Sequence, residues 1–356
     1  MARQRALRAP DRRYMCPARR HFVDTAPRAS RTGSAPTGPP CLRDWAAPLL
    51  RCPVCRESGL AGGKDPEEVV CAACGRRFAA PGGPIDLLVD PHPMVVRERG
   101  AVARLDGGYG PAAGRLTQRL RRLEAGGLVA SDLVEFPCLR HASACLPQIR
   151  EVLQVSPLTA DEVVVELGAD HCWASGLLLD AGCRVIALDI TDHLRLATRD
   201  DDDRLCRVVA DMNDIPVRDG RADVVWATAS AHHSWSLERT FAEAARVLRP
   251  GGRLYFCCEP MPSWLRYQLG RSFGRAEREL GINETWAPRR RWLRAASRVG
   301  LSARVVPPTL DRETVVAKLR RRRLPGGLAS LAARFLPLLQ VSVHLLATKV
   351  DSPARK

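Results

Sequence analysis

From Glu162 to about Lys349, short apolar runs alternate with amphipathic segments, and this alternation sets the fold class. Val163–Leu167, Arg184–Asp189, Leu205–Ala210, Ala222–Thr228 and Gly252–Cys258 read as strands. Ser302–Val306 and Val341–Thr348 are candidate final strands. Trp173–Ala181, Asp192–Arg199, Leu237–Leu248 and Arg290–Val299 read as helices, the third stopped by Pro250-Gly251-Gly252. Runs that are apolar throughout suit strands buried on both faces. Strand and helix alternating at this spacing predict an α/β fold, a doubly wound parallel sheet with helices on both sides.

In such a sheet ligands bind beyond the carboxyl ends of the strands, at the point where strand order reverses. The first run ends Glu166-Leu167-Gly168, and the second ends in Asp189, 21 residues after Gly168. A carboxylate at that edge can accept both hydroxyls of a ribose. A helix N-cap or a plain surface acid is the competing reading of Asp189.

Further segments follow in order: Val209-Ala210-Asp211-Met212-Asn213-Asp214-Ile215-Pro216, then Asp223–Thr228, then Ala231-His232-His233, then Arg246-Val247-Leu248-Arg249-Pro250-Gly251-Gly252, then Glu259-Pro260. With the first two strands they resemble the class I S-adenosylmethionine-dependent methyltransferases (methyltransferase-11-like) over roughly residues 145–350. The resemblance implies a Rossmann-like seven-stranded sheet whose last strand is antiparallel. It implies S-adenosylmethionine as cofactor, held by Glu166, Gly168, Asp170, Asp189, Ile190, Asp211 and Met212. In the family the acid at the Asp211 position meets the adenine amino group, and the next backbone amide meets the ring.

One departure stands out. The family usually has G-x-G-x-G after the first strand, whereas this chain reads Gly168-Ala169-Asp170-His171-Cys172. A carboxylate at 170 adds bulk and repels the cofactor's carboxylate while attracting its cationic groups. Two readings follow: binding in a shifted pose, or binding weakened or lost.

Methyl transfer needs alignment above all, and a base when the nucleophile carries a proton. His232 and His233 follow the fourth strand and are the candidate catalytic bases, against a reading in which they only pack and shape the pocket. Glu259, Trp235 and Trp264 are candidates for the acceptor wall.

Upstream, Cys52-Pro-Val-Cys55 and Cys71-Ala-Ala-Cys74 form two C-x-x-C knuckles fifteen residues apart. Each knuckle aims two thiolates at one centre, and two knuckles complete a tetrahedral shell for Zn²⁺. Four protein ligands leave no open position, so the expected metal is structural. The segment resembles the Trm112-like zinc ribbons over about forty residues, through Leu49–Cys55, Cys71–Phe78 and Gly83–Leu88. The expected organisation is a disordered basic tail (1–40), a zinc-ribbon domain (48–90), a helical connector (92–160) with no assignable task, and the methyltransferase domain (161–350).

The net charge of +16 is unevenly placed. Residues 1–40 hold nine Arg against Asp11 and Asp24, and residues 289–356 hold sixteen Lys and Arg against three acids, so residues 41–288 are mildly acidic. The cofactor crevice therefore falls in the acidic middle. The basic ends, notably Arg289–Arg291, Arg294, Lys318 and Arg320–Arg323 beside the Leu-rich 324–339 stretch, allow a peripheral membrane or RNA contact. No apolar run is long enough to span a bilayer. Thirteen cysteines, mostly scattered, with no secretory leader, predict reduced thiols in the cytoplasm. The functional expectation is an S-adenosylmethionine-dependent methyltransferase acting on an O, N or C nucleophile of a small-molecule or lipid-like acceptor. The alternatives are a ribosomal RNA methyltransferase, or a degenerate non-catalytic fold used as a binding module.

Overall fold

The computed structural model describes residues 42–106, 112–127, 130–136, 138–270, 273–308 and 342–350. The 1–40 tail and the Lys318, Arg320–Arg323 and 324–339 segments lie outside the described residues.

The main sheet contains eight strands: β4 (Ile85–Asp86), β5 (Val163–Leu167), β6 (Arg184–Asp189), β7 (Leu205–Val209), β8 (Ala222–Thr228), β9 (Leu248–Pro260), β10 (Leu301–Val306) and β11 (Ser342–Lys349). Their spatial order is β10-β11-β9-β8-β5-β6-β7-β4. β11 runs antiparallel to both β9 and β10, and the other pairings are parallel. This is the expected doubly wound α/β sheet with its last strand antiparallel, and β4 is an eighth strand added at the edge. It falls within Gly83–Leu88, where the zinc-ribbon resemblance implies a strand, and it pairs with the main sheet over two residues. β4 holds because Ile85 is fully buried and pairs with Val208.

Successive strand residues feed opposite cores, as the two-residue period of a strand requires. Val164, Val185 and Ala187 pack with helices α2 (Ala113–Glu124), α4 (Cys138–Val155) and α5 (Trp173–Asp180). Val165, Leu167, Ile186 and Leu188 face the other way, toward α6 (Leu237–Val247) and α9 (Arg289–Arg298), where Phe241, Phe256 and Trp292 meet edge to face. The same second core takes Leu50, Leu60, Val69, Phe78 and Ile85 from the cysteine-bearing segment. That segment is a three-stranded antiparallel sheet, β1 (Leu60–Gly62), β2 (Glu68–Cys71) and β3 (Arg77–Ala79). It is fastened to the main sheet by β4, by a Leu50–Val217 bridge, and by Arg51 and Arg56 reaching Asp214.

Helices α1 (Pro93–Asp106), α2, α3 (Ala130–Glu135) and α4 make up the connector. After β9 come two short helices, α7 (Trp264–Leu269) and α8 (Arg275–Leu280). One expected helix is corrected: Asp192–Arg199 forms only a 3-10 turn, Asp192–Leu196. Its residues serve the loop geometry, since Leu194 is buried and its carbonyl accepts from Arg207.

Candidate cofactor and acceptor cleft

β5 lies at the middle of the sheet, between β6 and β8, so strand order reverses there. A cleft of about 400 Å³ opens at the carboxyl edge at that point.

The loop after β5 forms its floor. Gly168, Asp170 and Cys172 all have positive φ, at 66°, 47° and 57°. The backbone thus keeps a glycine-type path although only the first of the three is glycine. At Gly168 the requirement is also steric, because an added Cβ would stand 2.4 Å from the Ser230 Cβ. Asp170 and Cys172 each hold a strained conformation that costs on the order of 1 kcal/mol or more.

The carboxylate at 170 is not left bare. His171 Nδ1 lies 2.5 Å from one Asp170 oxygen, and His193 Nδ1 lies 2.8 Å from the other. The two rings stack with centroids 4.8 Å apart. Burial works to raise the Asp170 pKa, but the two imidazoles outweigh it and hold the carboxyl well below its usual range. The repulsion expected of Asp170 is therefore offset by neighbours that the sequence places 1 and 23 residues away.

Asp189 stands beside this group. Its Oδ2 accepts the Asp170 amide at 2.9 Å, and its Oδ1 accepts the Thr191 amide and hydroxyl, each at 2.8 Å. Burial and the nearby Asp170 charge raise its pKa. Asp211 also lines the cleft; it accepts the Asn213 amide and the Trp235 indole N–H, 2.8 and 2.7 Å away. Trp235 in turn stacks on His92 at 4.0 Å, which ties the start of the connector to the Asp211 side of the cleft.

Six of the seven expected cofactor positions line the cleft: Gly168, Asp170, Asp189, Ile190, Asp211 and Met212. Glu166 does not. Its carboxylate is buried behind the loop, accepts the Ser175 hydroxyl, and has its pKa pushed up to about 7 by desolvation. The two histidines also part company. His232 is buried with Nδ1 2.7 Å from Glu259 Oε2, whereas His233 lines the cleft. Glu259 is itself fully buried, accepting the amides of Ser230, Ala231 and His232, so it braces the loop and does not reach an acceptor. Trp264 is largely exposed and is not part of the cleft wall, whereas Trp235 is.

The connector supplies what sequence reading missed. Val95, Glu98 and Val102 of α1, Leu120 of α2, and Leu139, His141 and Ala142 of α4 close the far side of the cleft. Glu98 Oε1 lies 3.1 Å from His233 Nδ1, and that nitrogen also lies 2.7 Å from the Asn283 carbonyl oxygen. A nitrogen facing two acceptors carries the proton, which leaves Nε2 as the nitrogen available to a ligand. A signal for this exists in the sequence: Glu98 sits on the apolar face of α1 between Val95 and Val102, where a lone carboxylate needs a partner.

The basic side chains of α9 that the structure describes are partly engaged in holding the fold. Arg291 pairs with Glu238, and Arg289 donates to the Met261 carbonyl. Among the described residues no helix is long and apolar enough to cross a membrane.

The four cysteines converge. Their sulfurs lie within 4.8 Å of one another, with Cys52 and Cys74 at 3.8 Å and Cys55 and Cys71 at 3.6 Å. A tetrahedron of Zn–S bonds of about 2.3 Å separates its sulfurs by about 3.8 Å. A disulfide would need about 2.05 Å.

Residues 165–256, which span β5 to β9 and most of the cleft loops, match the family described as a methyltransferase domain. Over 111 residues the chain is 36% identical to the sarcosine/dimethylglycine N-methyltransferase of Halorhodospira halochloris, covering 29% of this chain and 39% of that enzyme. Over 69 residues it is 45% identical to the 27-O-demethylrifamycin SV methyltransferase of Amycolatopsis mediterranei, covering 18% of this chain and 25% of that one. The chain thus spans less than half the length of these relatives. Among solved structures, a complex between the Haloferax volcanii Trm112 methyltransferase activator and a methyltransferase aligns at 19% identity with a TM-score of 0.45, covering 57% of this chain and 89% of that one. The matched segment carries Asp170 and Cys172 on glycine-type backbone.

Proposed function

We propose that the protein is an S-adenosylmethionine-dependent methyltransferase of a small-molecule or lipid-like acceptor, with a structural zinc in its N-terminal ribbon. The observation that carries this reading is the convergence of a glycine-type loop, Asp189 and Asp211 around one cleft at the switch point of the sheet. Asp189 retains one acceptor site, on Oδ2, for a ribose hydroxyl, and Asp211 with the Met212 amide suits the adenine. The Asp170–His171–His193 group sits where the methionine end would lie and offers polar atoms of both signs. The bound cofactor would supply a methyl on a sulfonium, an electrophile that needs no acid to leave. The chain's own residues would then hold the nucleophile in line and keep water out. Of the paired histidines, His233 is the one placed to act on an acceptor, and His232 positions the loop through Glu259. The Cys52, Cys55, Cys71 and Cys74 geometry supports a closed tetrahedral site, which has no position for catalysis.

Calorimetry with S-adenosylmethionine, followed by metabolite profiling for mass shifts of one methyl, tests the reading. Micromolar binding and a methylated product are expected. A folded, zinc-loaded sample that fails to bind would favour the degenerate binding module. Strongly salt-dependent RNA binding would favour an RNA substrate.

A further inference from the structure

The part of the cleft lined by the connector helices and by Ile282, which closes its far end, has a chemistry distinct from that of the cofactor loops. That end is walled by Val95, Val102, Leu120, Leu139 and Ile282, a surface suited to an apolar body. Set into it is one hydrogen-bonded pair, Glu98 and His233. Glu98 is buried and committed to the imidazole, so it is poorly placed to receive an ammonium. His233 presents Nε2 as a donor whenever the ring is protonated.

Resting on the methyltransferase reading above, we propose that this end of the cleft is the acceptor subsite and that it takes an apolar molecule bearing an acidic oxygen, such as a carboxylate, phenolate or enolate, which His233 holds through Nε2. Burial lowers the His233 pKa, but the Glu98 hydrogen bond and charge overcome this and raise it to about 9. The imidazolium therefore persists at neutral pH. An oxygen that arrives as an anion needs no base, so the role of His233 is to bind and orient it, and Glu98 is a positioning residue that keeps the ring charged. The groups facing His233 are Glu98 of α1, His141 of α4, His232 beside it, Glu259 of β9, and Glu284 in the segment between α8 and α9. The three carboxylates in this set favour the charged ring, and His141 opposes it.

The test uses three probes of matched shape: phenylacetate, phenylacetamide and phenethylamine. Each is titrated calorimetrically into the full chain saturated with S-adenosylhomocysteine, at about pH 7 and again at about pH 10. At the lower pH the acid should bind about tenfold or more tighter than the amide and the amine, as expected of a charge-assisted hydrogen bond in an apolar wall. At the higher pH the preference should disappear. His233→Gln should abolish the preference, with S-adenosylhomocysteine binding as the control that the cleft is formed. Glu98→Gln should move the loss of preference to lower pH, a change that a purely structural role would not cause. Tightest binding by the amine, a preference for the acid that survives His233→Gln, or failure of all three probes at millimolar concentration would each overturn the proposal. Failure of S-adenosylhomocysteine itself to bind would instead overturn the methyltransferase reading; the probe comparison in the unliganded protein would still decide the subsite.

Discussion

Asp170 and His193 meet at 2.8 Å across the floor of the cleft, one from the loop after β5 and the other from the 3-10 turn after β6. The contact joins the two loops that together cradle the cofactor in the reading above. It also makes a carboxylate tolerable at a position where the methyltransferases this chain resembles normally have glycine. His193→Ala should leave Asp170 with only His171, expose more of its charge to the cofactor carboxylate, and weaken S-adenosylhomocysteine binding by about tenfold, or about 1.4 kcal/mol. Asp170→Gly removes the charge and the strained φ together, so its affinity should stay within a few-fold of the parent. Calorimetry on both variants checks the pair; equal losses in the two would refute the compensation.

Asp189 accepts three hydrogen bonds from within the protein, two on Oδ1 and one on Oδ2. Replacing it by Ala removes the ribose acceptor and also frees the Asp170 and Thr191 amides. The expected loss in cofactor affinity is tenfold to a hundredfold, with the fold intact by circular dichroism. Asp189→Asn, which keeps an acceptor oxygen but replaces the other with a donor, should fall between the parent and the alanine variant. An unchanged affinity in Asp189→Ala would refute the ribose role.

Much of this arrangement is readable from the sequence because it depends on local pattern. β5, β6, β7 and β8 are mainly apolar runs, interrupted by Glu166, Arg207 and Asp223, and a strand buried on both faces has little other way to look. Asp189 and Asp211 follow from strand ends, whose place at the sheet edge is fixed by topology. What is not readable depends on long-range geometry. His232 and His233 are chemically identical neighbours, and only the turn of the chain decides that the first is buried against Glu259 and the second lines the cleft. Glu98 stands out as a lone carboxylate on the apolar face of α1, but only the fold decides that its partner is His233. The helix expected at Asp192–Arg199 shortens to a turn because Leu194 and His193 are needed at the sheet edge and the cleft. Ile85–Asp86 becomes an eighth strand only because the ribbon docks there.

That docking makes the ribbon part of the fold's stability. Leu50, Leu60 and Ile85 share a core with the main sheet, and Arg51 and Arg56 pair with Asp214, whose amide bonds the Asp211 carbonyl. Elemental analysis should find one zinc per chain. Cys71→Ser should reduce that occupancy and lower the melting temperature by several degrees, because a closed structural zinc site contributes folding free energy directly. Cofactor affinity should weaken as well, through the Arg56–Asp214 link. A full zinc complement in Cys71→Ser would refute the four-cysteine site.

Glu166 offers a sharp test of an electrostatic cost inside the loop. It is buried, its pKa is raised to about 7 chiefly by desolvation, and the nearby Asp189 charge pushes in the same direction. A folded-state pKa above the unfolded value means that the neutral form is the one the fold prefers. The associated stability is fully present below the unfolded carboxyl range near pH 4.5 and is lost as pH rises through about 7. Above that the loss reaches about 3 kcal/mol, because each tenfold change in proton affinity between the folded and unfolded chain is worth about 1.4 kcal/mol. Glu166→Gln removes the ionisation while keeping an oxygen for the Ser175 hydroxyl. The variant should therefore match the parent in thermal stability at about pH 5 and exceed it at about pH 9, by an amount of that order. Calorimetric melting curves across this range decide it: a Glu166→Gln protein less stable than the parent at high pH would mean that the carboxylate is held charged by a partner, and that the ionised form is the one the loop is built around.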